Sequence, residues 1–291
     1  MRHDFPALNP DGMIAVRYYE PPSDLIEMVG SIYLFTANMP HVSDHVRADF
    51  AQLRFNLSGR GHYIFRDGRQ MESPQTCILG ATMSSALFEV EGPLQTVGVS
   101  LLPLGWHALT GLDASEYVDS LFDAADLHPE FAELENTLRL IDDPQVGVDR
   151  LWDFLRRHFR RVNSAHRAFV EATGQWLSGD GSPRVETLIE TTGLSARQVA
   201  RLTNRLYGAP PKLLARKYRA LRVASLIASS DDDWRDIVGD LFYDQSHLIR
   251  ELKFFIGLTP HQLKSSMGMV NRLTMQRRQL EGQFPYLSGV S

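Results

Sequence analysis

The chain has 291 residues, of which 43% are hydrophobic and 22% charged, the ordinary composition of a folded globular protein. This length accommodates two domains of roughly 100–200 residues. No apolar run approaches the roughly 20 residues of a membrane-spanning helix, and the N-terminus lacks the apolar stretch of a signal peptide. We therefore expect a cytoplasmic protein with no membrane partner. A single cysteine, Cys77, excludes an internal disulfide and a multi-cysteine metal site.

The net charge of −5 is unevenly distributed along the chain. Residues 1–160 hold 12 Arg, no Lys and 23 acidic residues, a net charge of −11, whereas residues 161–291 carry +6. Segment 184–222 alone holds nine basic and two acidic residues. A basic half joined to an acidic half indicates nucleic acid or another acidic partner. Charge alone also raises the hypothesis that the acidic half docks on the basic half and masks it.

Short strand-like runs dominate residues 14–104. Polar and apolar residues alternate from Gln52 onwards. Asp67 and Gly68 separate two such runs and predict a hairpin with a type I′ turn, since Gly tolerates positive φ. Further strands are predicted at 76–79, 86–90 and 94–102. Several short strands separated by turns favour a small β-barrel or jelly roll.

Helical spacing replaces this pattern after Trp106. Apolar residues three or four apart predict helices at 114–121, 129–141, 147–161 and 165–177. These helices would form a linker that packs on the barrel, on a second subunit, or on both. The Gly- and Pro-containing segment 178–183 opposes helix continuation and therefore marks a domain boundary.

Two segments of similar layout follow, 185–211 and 235–260. In the first, Gly193 permits a tight turn after a short helix, and Ser195 is a suitable N-cap for the next helix. The apolar stripe of that helix consists of Val199, Leu202 and Leu206, and Gly208 ends it. Its polar side carries Arg197, Gln198, Arg201, Asn204 and Arg205.

This layout is typical of a helix-turn-helix unit, in which the second helix reads DNA. Arg can donate two hydrogen bonds to O6 and N7 of guanine, and Gln can pair with N6 and N7 of adenine. A solvated amphipathic helix in any helical domain shows the same pattern. One such unit therefore does not establish DNA binding.

The second unit repeats the layout. Asp244 is the predicted N-cap of its second helix, whose Leu248 and Leu252 face inward and which ends at Gly257. The DNA-binding candidates on this helix are Gln245, Ser246, His247, Ile249, Arg250 and Lys253. Between the units, Pro211 opens a continuous helical pattern that carries Lys212 and spans about 27 Å. That length is close to the roughly 34 Å between successive major-groove turns.

Residues 178–266 resemble the DNA-binding domain of the AraC/XylS family of bacterial transcription regulators. The most specific stretch of the second unit is DQSHLIRELKFFIGLTPHQL, at 244–263. The first unit matches through GLSARQ at 193–198, YG at 207–208, Pro211 and the linker YRALRVA at 218–224.

The resemblance implies sequence-specific binding to promoter DNA, with the second helix of each unit in a major groove. By position, the implied base contacts are Arg197, Ala200 and Arg201 in the first unit, and Gln245, Ser246, Ile249 and Arg250 in the second. One departure stands out, because the segment from Asp236 to Asp244 is one residue shorter than the family pattern and lacks a glycine. Either the second turn is altered or the preceding helix shifts by one residue.

The resemblance also implies a front half that senses a small-molecule effector or mediates dimerisation, often through a cupin-like barrel. Residues 98–119 are similar to the barrel-to-helix passage of family members. A homodimer through the 130–177 helices and contact with RNA polymerase follow as expectations. The predicted fold class is α+β, a small cupin-like β-barrel domain with a helical linker and an all-α tandem helix-turn-helix domain. The predicted divisions are 1–110 (sensor domain), 111–177 (linker and dimerisation region), 178–268 (DNA-binding domain) and 269–291 (tail).

A ligand pocket in the barrel would be lined mainly by apolar and aromatic side chains. The candidates are Tyr33, Phe35, Phe55, Tyr63, Phe65, Phe88 and Trp106, and core packing explains each equally well. Arg54, Arg66 and His62 are candidate anchors for an acidic effector. The sequence does not identify that effector.

Two other functions stay open, a cupin-like enzyme with a helical appendage and a protein-binding adaptor that uses the basic domain. Metal-dependent cupins typically carry His-X-His, a following Glu and a distant His. The strand-rich region offers only His41, His45 and His62. We therefore expect no enzymatic activity, no cofactor and no metal, and we expect Cys77 to be a buried strand thiol.

Overall fold

The computed structural model describes residues 12–179, 183–230, 232–238 and 245–276. Antiparallel strands fill the first part and helices the second. The strands are β1 (Ile14–Tyr19), β2 (Val29–Ala37), β3 (His41–Val46), β4 (Ala51–Ile64), β5 (Gln70–Glu72), β6 (Thr76–Leu79), β7 (Ala86–Leu101) and β8 (Leu121–Asp123). Within these ranges no helix has the length and apolar character needed to cross a membrane.

The sheet is organised around its two longest strands. Its order is β1-β2-β7-β4-β6-β8, with β3 paired to β7 and β5 paired to β4. Strand β7 pairs with β4 along almost its whole length, and its other side pairs first with β3 and then with β2. The predicted antiparallel, strand-rich front half is confirmed, but it is not a closed barrel, because β1 and β8, at the two ends of the described strand order, do not pair with each other. The term barrel refers below to this open sheet, β1 to β8.

The two strands predicted at 86–90 and 94–102 form the single strand β7. Gly92 and Pro93 had indicated a break between them. They lie opposite register shifts in β4 around Ser58, and Gly59 there has a φ of +78°. Proline is tolerated at such bulges because the ladder is locally interrupted there. The strand therefore bends at Pro93 and does not end.

The predicted hairpin is present between β4 and β5, but the turn type differs from the prediction. Gly68 has a φ of +87° and its N–H donates to the carbonyl of Phe65, whereas Asp67 does not have positive φ. A type I′ turn needs positive φ at both central residues. The geometry matches a type I turn followed by a glycine bulge.

The helices are α1 (Pro103–Thr110), α2 (Glu130–Arg139), α3 (Pro144–His158), α4 (Ser164–Ser178), α5 (Val185–Thr192), α6 (Ala196–Tyr207), α7 (Pro211–Ser229), α8 (Trp234–Val238), α9 (Gln245–Phe255), α10 (Pro260–Ser265) and α11 (Met269–Gln276). The helix predicted at 114–121 is wrong. It is a 3-10 turn at Ala114–Tyr117 that leads into β8. Pairing of β8 with β6 prevails over local helical spacing, since backbone hydrogen bonds to the sheet replace those of a helix.

Two hydrophobic clusters show how the helices pack on the sheet, and the second of them joins the acidic half of the chain to the basic half. One contains Phe55, Trp106 and Leu151, and packs α1, α2 and α3 against the sheet. The other joins barrel residues such as Phe50 to Leu214 of α7 and to α9, so it is shared between the sheet and the helical C-terminal half. The basic C-terminal half therefore packs directly against the acidic N-terminal half.

Substitution of Gly105 in α1 tests how closely that helix approaches the main chain just before β2. A Cβ at Gly105 would lie 2.0 Å from the carbonyl oxygen of Met28. Because this contact is with main chain, we expect Gly105→Ala to lower the free energy of unfolding by about 3 kcal/mol, measured by urea denaturation.

Gly147→Ala in α3 is the matched control, because the nearest atom to its added Cβ would be 3.5 Å away, in ordinary contact. Alanine favours the helix by about 1 kcal/mol over glycine, so this variant should be neutral or more stable. Equal destabilisation by both substitutions would contradict the proposed packing of α1.

Candidate nucleic-acid interface

Helix α6 is fixed at both ends by local sequence. Ser195 is its N-cap and forms a capping box with Gln198, as the Ser195 hydroxyl accepts from the Gln198 N–H and the Gln198 side chain accepts from the Ser195 N–H. Gly193 before it and Gly208 after it have φ values of +64° and +85°. Glycine is favoured at both positions because other residues are strained there. The predicted turn, N-cap and C-terminal glycine are confirmed.

The two sides of α6 differ as predicted. Val199 and Leu206 are buried, and Leu202 is half-buried. Arg197, Arg201 and Arg205 are exposed and Asn204 is half-buried. Gln198 is exposed, but its Oε1 accepts from Ser195 Oγ at 2.8 Å. The side-chain amide of Gln198 therefore takes part in the N-terminal cap of α6.

Helix α9 shows a comparable division. Leu248 and Leu252 are buried, and Gly257 follows the helix with a φ of +85°. Gln245, Ser246, Arg250 and Lys253 are exposed, whereas His247 and Ile249 are half-buried. The predicted N-cap Asp244 and residues 239–243 before it lie outside the described residues, as do residues 180–182 of the predicted boundary at 178–183.

Helix α7 connects the two units, and its 19 residues span about 28 Å. Its first turn carries the exposed Lys212. Arg216 donates two hydrogen bonds to the buried carboxylate of Glu251 in α9, at 3.1 and 2.7 Å. Arg222 donates to the carbonyls of Leu177 and Gly179 at the end of α4. These arginines therefore fasten helices together, a role that net charge does not reveal.

The sheet holds α9 through its main chain. The N–H groups of Ala48 and Ser85 donate to the carbonyls of Phe255 and Phe254, at 2.7 and 2.9 Å. Arg66 lies over the Phe254 ring, 4.9 Å from its centroid. Arg66, predicted as an effector anchor, thus contacts α9 and is not among the residues that line the barrel cavity.

Lys217 of α7 is buried within the same contact. Its Nζ donates to the carbonyls of Asp49 and Thr82, both at 2.8 Å. The side chain is 1% exposed. Burial lowers the pKa of Lys217 to about 8, against the attraction of the carboxylates of Asp49 and Asp119. A charge from the DNA-binding half is therefore enclosed by loops of the sheet domain.

The predicted tail begins with an ordered helix, α11, that covers one end of the barrel. The N–H of Val270 donates to the Asp44 carboxylate at 2.8 Å. Val270 and Leu273 are buried and line a cavity of about 90 Å³ together with barrel residues. The sequence pattern did not predict this cover, because Val270 and Leu273 lie on a short helix and their contacts are with strands far away in the chain.

Four of the seven predicted aromatic residues line that cavity, namely Tyr33, Phe35, Tyr63 and Phe88. Phe55, Phe65 and Trp106 lie instead in hydrophobic clusters, so core packing accounts for them. Of the candidate anchors, Arg54 lines the cavity, where its Nε donates to the Tyr33 hydroxyl at 3.0 Å and its guanidinium lies 5.5 Å from the Tyr63 ring centroid. Burial raises the pKa of Tyr33.

The remaining candidates lie elsewhere. His62 Nε2 lies 3.1 Å from a carboxylate oxygen of Glu89, on a separate cleft that His41 also lines. His45 lies against Gly257 after α9. Cys77 is buried as expected, and burial raises the pKa of its thiol.

Comparison with known proteins gives one match to a family model, described as a helix-turn-helix domain, over residues 188–266. No curated protein matches the chain. Among solved structures, ToxT from Vibrio cholerae O395 is similar with a TM-score of 0.43 and 12% identity, over 78% of this chain and 99% of that chain. The AraC-like transcriptional activator CuxR gives 0.35 and 17%, over 74% and 85%.

A third structure, ToxT of Vibrio cholerae strain SCE256 with a bound unsaturated fatty acid, gives a TM-score of 0.44 and 12% identity, over 90% of this chain and 97% of that chain. With TM-scores below 0.5, these likenesses support no inference about this chain. The family match coincides with α5 to α10 and with the capped, glycine-flanked α6. Residues 188–266 are therefore a helix-turn-helix domain of the AraC type.

Proposed function

We propose that this protein is a sequence-specific DNA-binding transcription regulator that inserts α6 and α9 into successive major grooves of promoter DNA. The observation that carries the proposal is the row of exposed arginines on α6, a helix fixed at both ends within a helix-turn-helix domain. The proposed DNA-binding residues are Arg197, Gln198, Arg201, Asn204, Arg205, Lys212, Gln245, Ser246, His247, Ile249, Arg250 and Lys253.

These residues fall into groups according to the contacts that their side chains can make with DNA. Arg197 and Arg201 are exposed one helical turn apart and are suited to bidentate contact with guanine. Lys212, at the start of α7, is suited to a phosphate contact. Gln198 would have to leave its capping position to read a base, so its role in the cap competes with base recognition.

We propose that the barrel cavity binds the small-molecule effector. Its aromatic wall would contact the apolar part of the ligand, and Arg54 would bind an acidic group. The cavity is closed on one side by Val270 and Leu273 of α11. A ligand that needs more room than the cavity offers would therefore displace α11, which continues directly from the helix-turn-helix domain.

Docking on the barrel leaves the arginine row of α6 exposed. Simple masking of that row by the acidic half, the hypothesis raised by charge, is therefore not the mechanism we propose. Instead, the barrel holds α9 through main-chain hydrogen bonds, and α6 ends at Gly208 against Ala114 and Val118. Regulation would act on how the two reading helices are held relative to each other.

The proposed regulator acts in the cytoplasm as a homodimer, without catalytic activity, and contacts RNA polymerase at the promoter. The linker helices support the dimer, because Leu140, which follows α2, is 82% exposed and Val146, in the first turn of α3, is 46% exposed. Exposed apolar side chains of this size are typical of protein interfaces when they cluster. Sedimentation of the purified chain tests the dimer separately from DNA binding.

Selection of bound fragments from a random DNA library tests the proposal directly. We expect an enriched sequence motif and an affinity that falls steeply with salt, because phosphate contacts release counterions. Binding without sequence preference would favour the adaptor, and turnover of a small molecule would favour the enzyme.

Arg201→Ala is expected to weaken binding to the selected site by about 1–3 kcal/mol and to relax the preference at one base. Fluorescence anisotropy on the selected site and on single-base variants measures both effects. Arg17→Ala, which removes an exposed arginine from β1, is the matched control and should leave affinity unchanged. An unaltered base preference in Arg201→Ala would exclude the assigned role.

Lys217→Met tests the buried ammonium that joins α7 to the sheet domain. With a pKa of about 8 when buried and 10.5 when exposed to water, Lys217 releases its proton in the folded chain before it does so in the unfolded chain. Stability of the wild type should therefore rise with pH between about 8 and 10.5, by up to roughly 1.4 kcal/mol per pH unit. The variant should lack this rise.

Urea denaturation at pH 7.5 and pH 9.5 measures the effect as the difference between wild type and variant. Lys212→Met, on the first turn of the same helix, removes an exposed lysine and should retain the wild-type pH dependence. An identical pH dependence in wild type and Lys217→Met would contradict the enclosed ammonium.

A further inference from the structure

Three side chains with metal-binding atoms meet on the linker, away from both reading helices. His128 and Glu130 lie at the start of α2, and His158 is the last residue of α3. One ligand atom from each lies within 4.8 Å of the others. This is the one such group of three that the described part of the chain contains.

The ring of His158 is held in a defined orientation. Its Nδ1 lies 2.9 Å from the Phe154 carbonyl, and its ring stacks on the Phe154 ring with centroids 3.9 Å apart. A carbonyl accepts only, so Nδ1 carries the proton and Nε2 holds the lone pair. That Nε2 lies 3.2 Å from Glu130 Oε2, another acceptor. Two acceptors this close need a proton or a metal ion between them.

The second histidine completes the group. His128 Nδ1 lies 3.9 Å from Glu130 Oε1, and the His128 and His158 rings meet edge to face with centroids 5.1 Å apart. The side chains of His128 and Glu130 are each 47% exposed. To reach the roughly 2.0–2.1 Å bond lengths of zinc, these two half-exposed side chains would have to rotate, and His128 Nδ1 would have to give up the hydrogen bond of 3.3 Å that it accepts from the Glu130 N–H.

The ligand set favours one class of ion. Two imidazoles and one carboxylate suit divalent transition metals, whereas Mg²⁺ and Ca²⁺ prefer oxygen ligands alone. The hydrogen bond from His158 Nδ1 to a backbone carbonyl is the support that orients metal-binding histidines in proteins. Three protein ligands also leave coordination positions open to water.

We propose that His128, Glu130 and His158 bind one divalent transition-metal ion, with Zn²⁺ as the best-matched probe. The ion would fasten the start of α2 to the end of α3. This site is independent of the proposed DNA contacts and of the barrel cavity, so its failure would leave the proposed function unaffected.

Calorimetric titration of the tag-free, chelator-treated full chain with ZnCl₂ tests the site. We expect one Zn²⁺ per chain and a rise in melting temperature that grows with free Zn²⁺, because the ion binds the folded state. Glu130→Gln and His158→Ala should each weaken binding more than about tenfold, since even loss of a supporting partner costs about 10–100-fold. Glu130→Gln keeps the size of a half-exposed side chain, so it tests the site without a change in packing.

His166→Ala is the matched control. His166 also meets a second histidine ring, His107, with centroids 4.8 Å apart, but its charged neighbour is the guanidinium of Arg205 and not a carboxylate. Zn²⁺ affinity should be unchanged in this variant. The proposal is overturned if the wild type binds no Zn²⁺ at 100-fold molar excess, or if Glu130→Gln and His158→Ala both bind with wild-type affinity.

Discussion

The apolar sides of α7 and α9 share one hydrophobic core with the sheet domain, and the remaining features of the molecule depend on this shared burial. Val199 and Leu206 of α6 lie in the same core, so the polar sides of α6 and α9 are the ones left exposed. Main-chain hydrogen bonds from Ala48 and Ser85 fix α9 in place. Exposure of the arginine row on α6 is thus a consequence of how the other helices are buried.

The contact between α7 and the sheet domain encloses a buried charge. The ammonium of Lys217 is satisfied by two carbonyls from loops of the sheet domain and is attracted by nearby carboxylates, yet its burial costs desolvation free energy. The contact is therefore stable only while Lys217 keeps its hydrogen bonds to the carbonyls of Asp49 and Thr82. The neighbouring cover of the cavity, α11, is attached to the same sheet through Asp44. Asp49, which accepts from Lys217, also lines the cavity, so the proposed effector site adjoins the contact between α7 and the sheet domain.

Local signals in the sequence predicted what local interactions determine. Ser195, Gly193 and Gly208 fixed the ends of α6 because caps and positive φ depend on the residues themselves. The merged strand β7 and the 3-10 turn at Ala114–Tyr117 were mispredicted, since pairing with distant strands overrode the spacing of nearby residues.

The basic residues of α7 illustrate a second kind of feature that the sequence could not predict. Segment 184–222 holds nine basic residues, but three of them, Arg216, Lys217 and Arg222, bind groups on other helices or on loops of the sheet domain. The sequence pattern did not bring together the proposed metal-binding group either, because His128 and His158 are thirty residues apart and meet only when α2 packs on α3. Whether a charged side chain faces solvent or a partner depends on tertiary contacts that spacing does not encode.

Hydroxyl-radical footprinting of the full chain on its selected DNA site tests the central claim most directly. If α6 and α9 are held together by α7 as two reading helices, each bound protomer should protect two segments on one face of the duplex. Their centres should be about 10–10.5 base pairs apart. A single protected segment, or two segments on opposite faces of the duplex, would contradict the account.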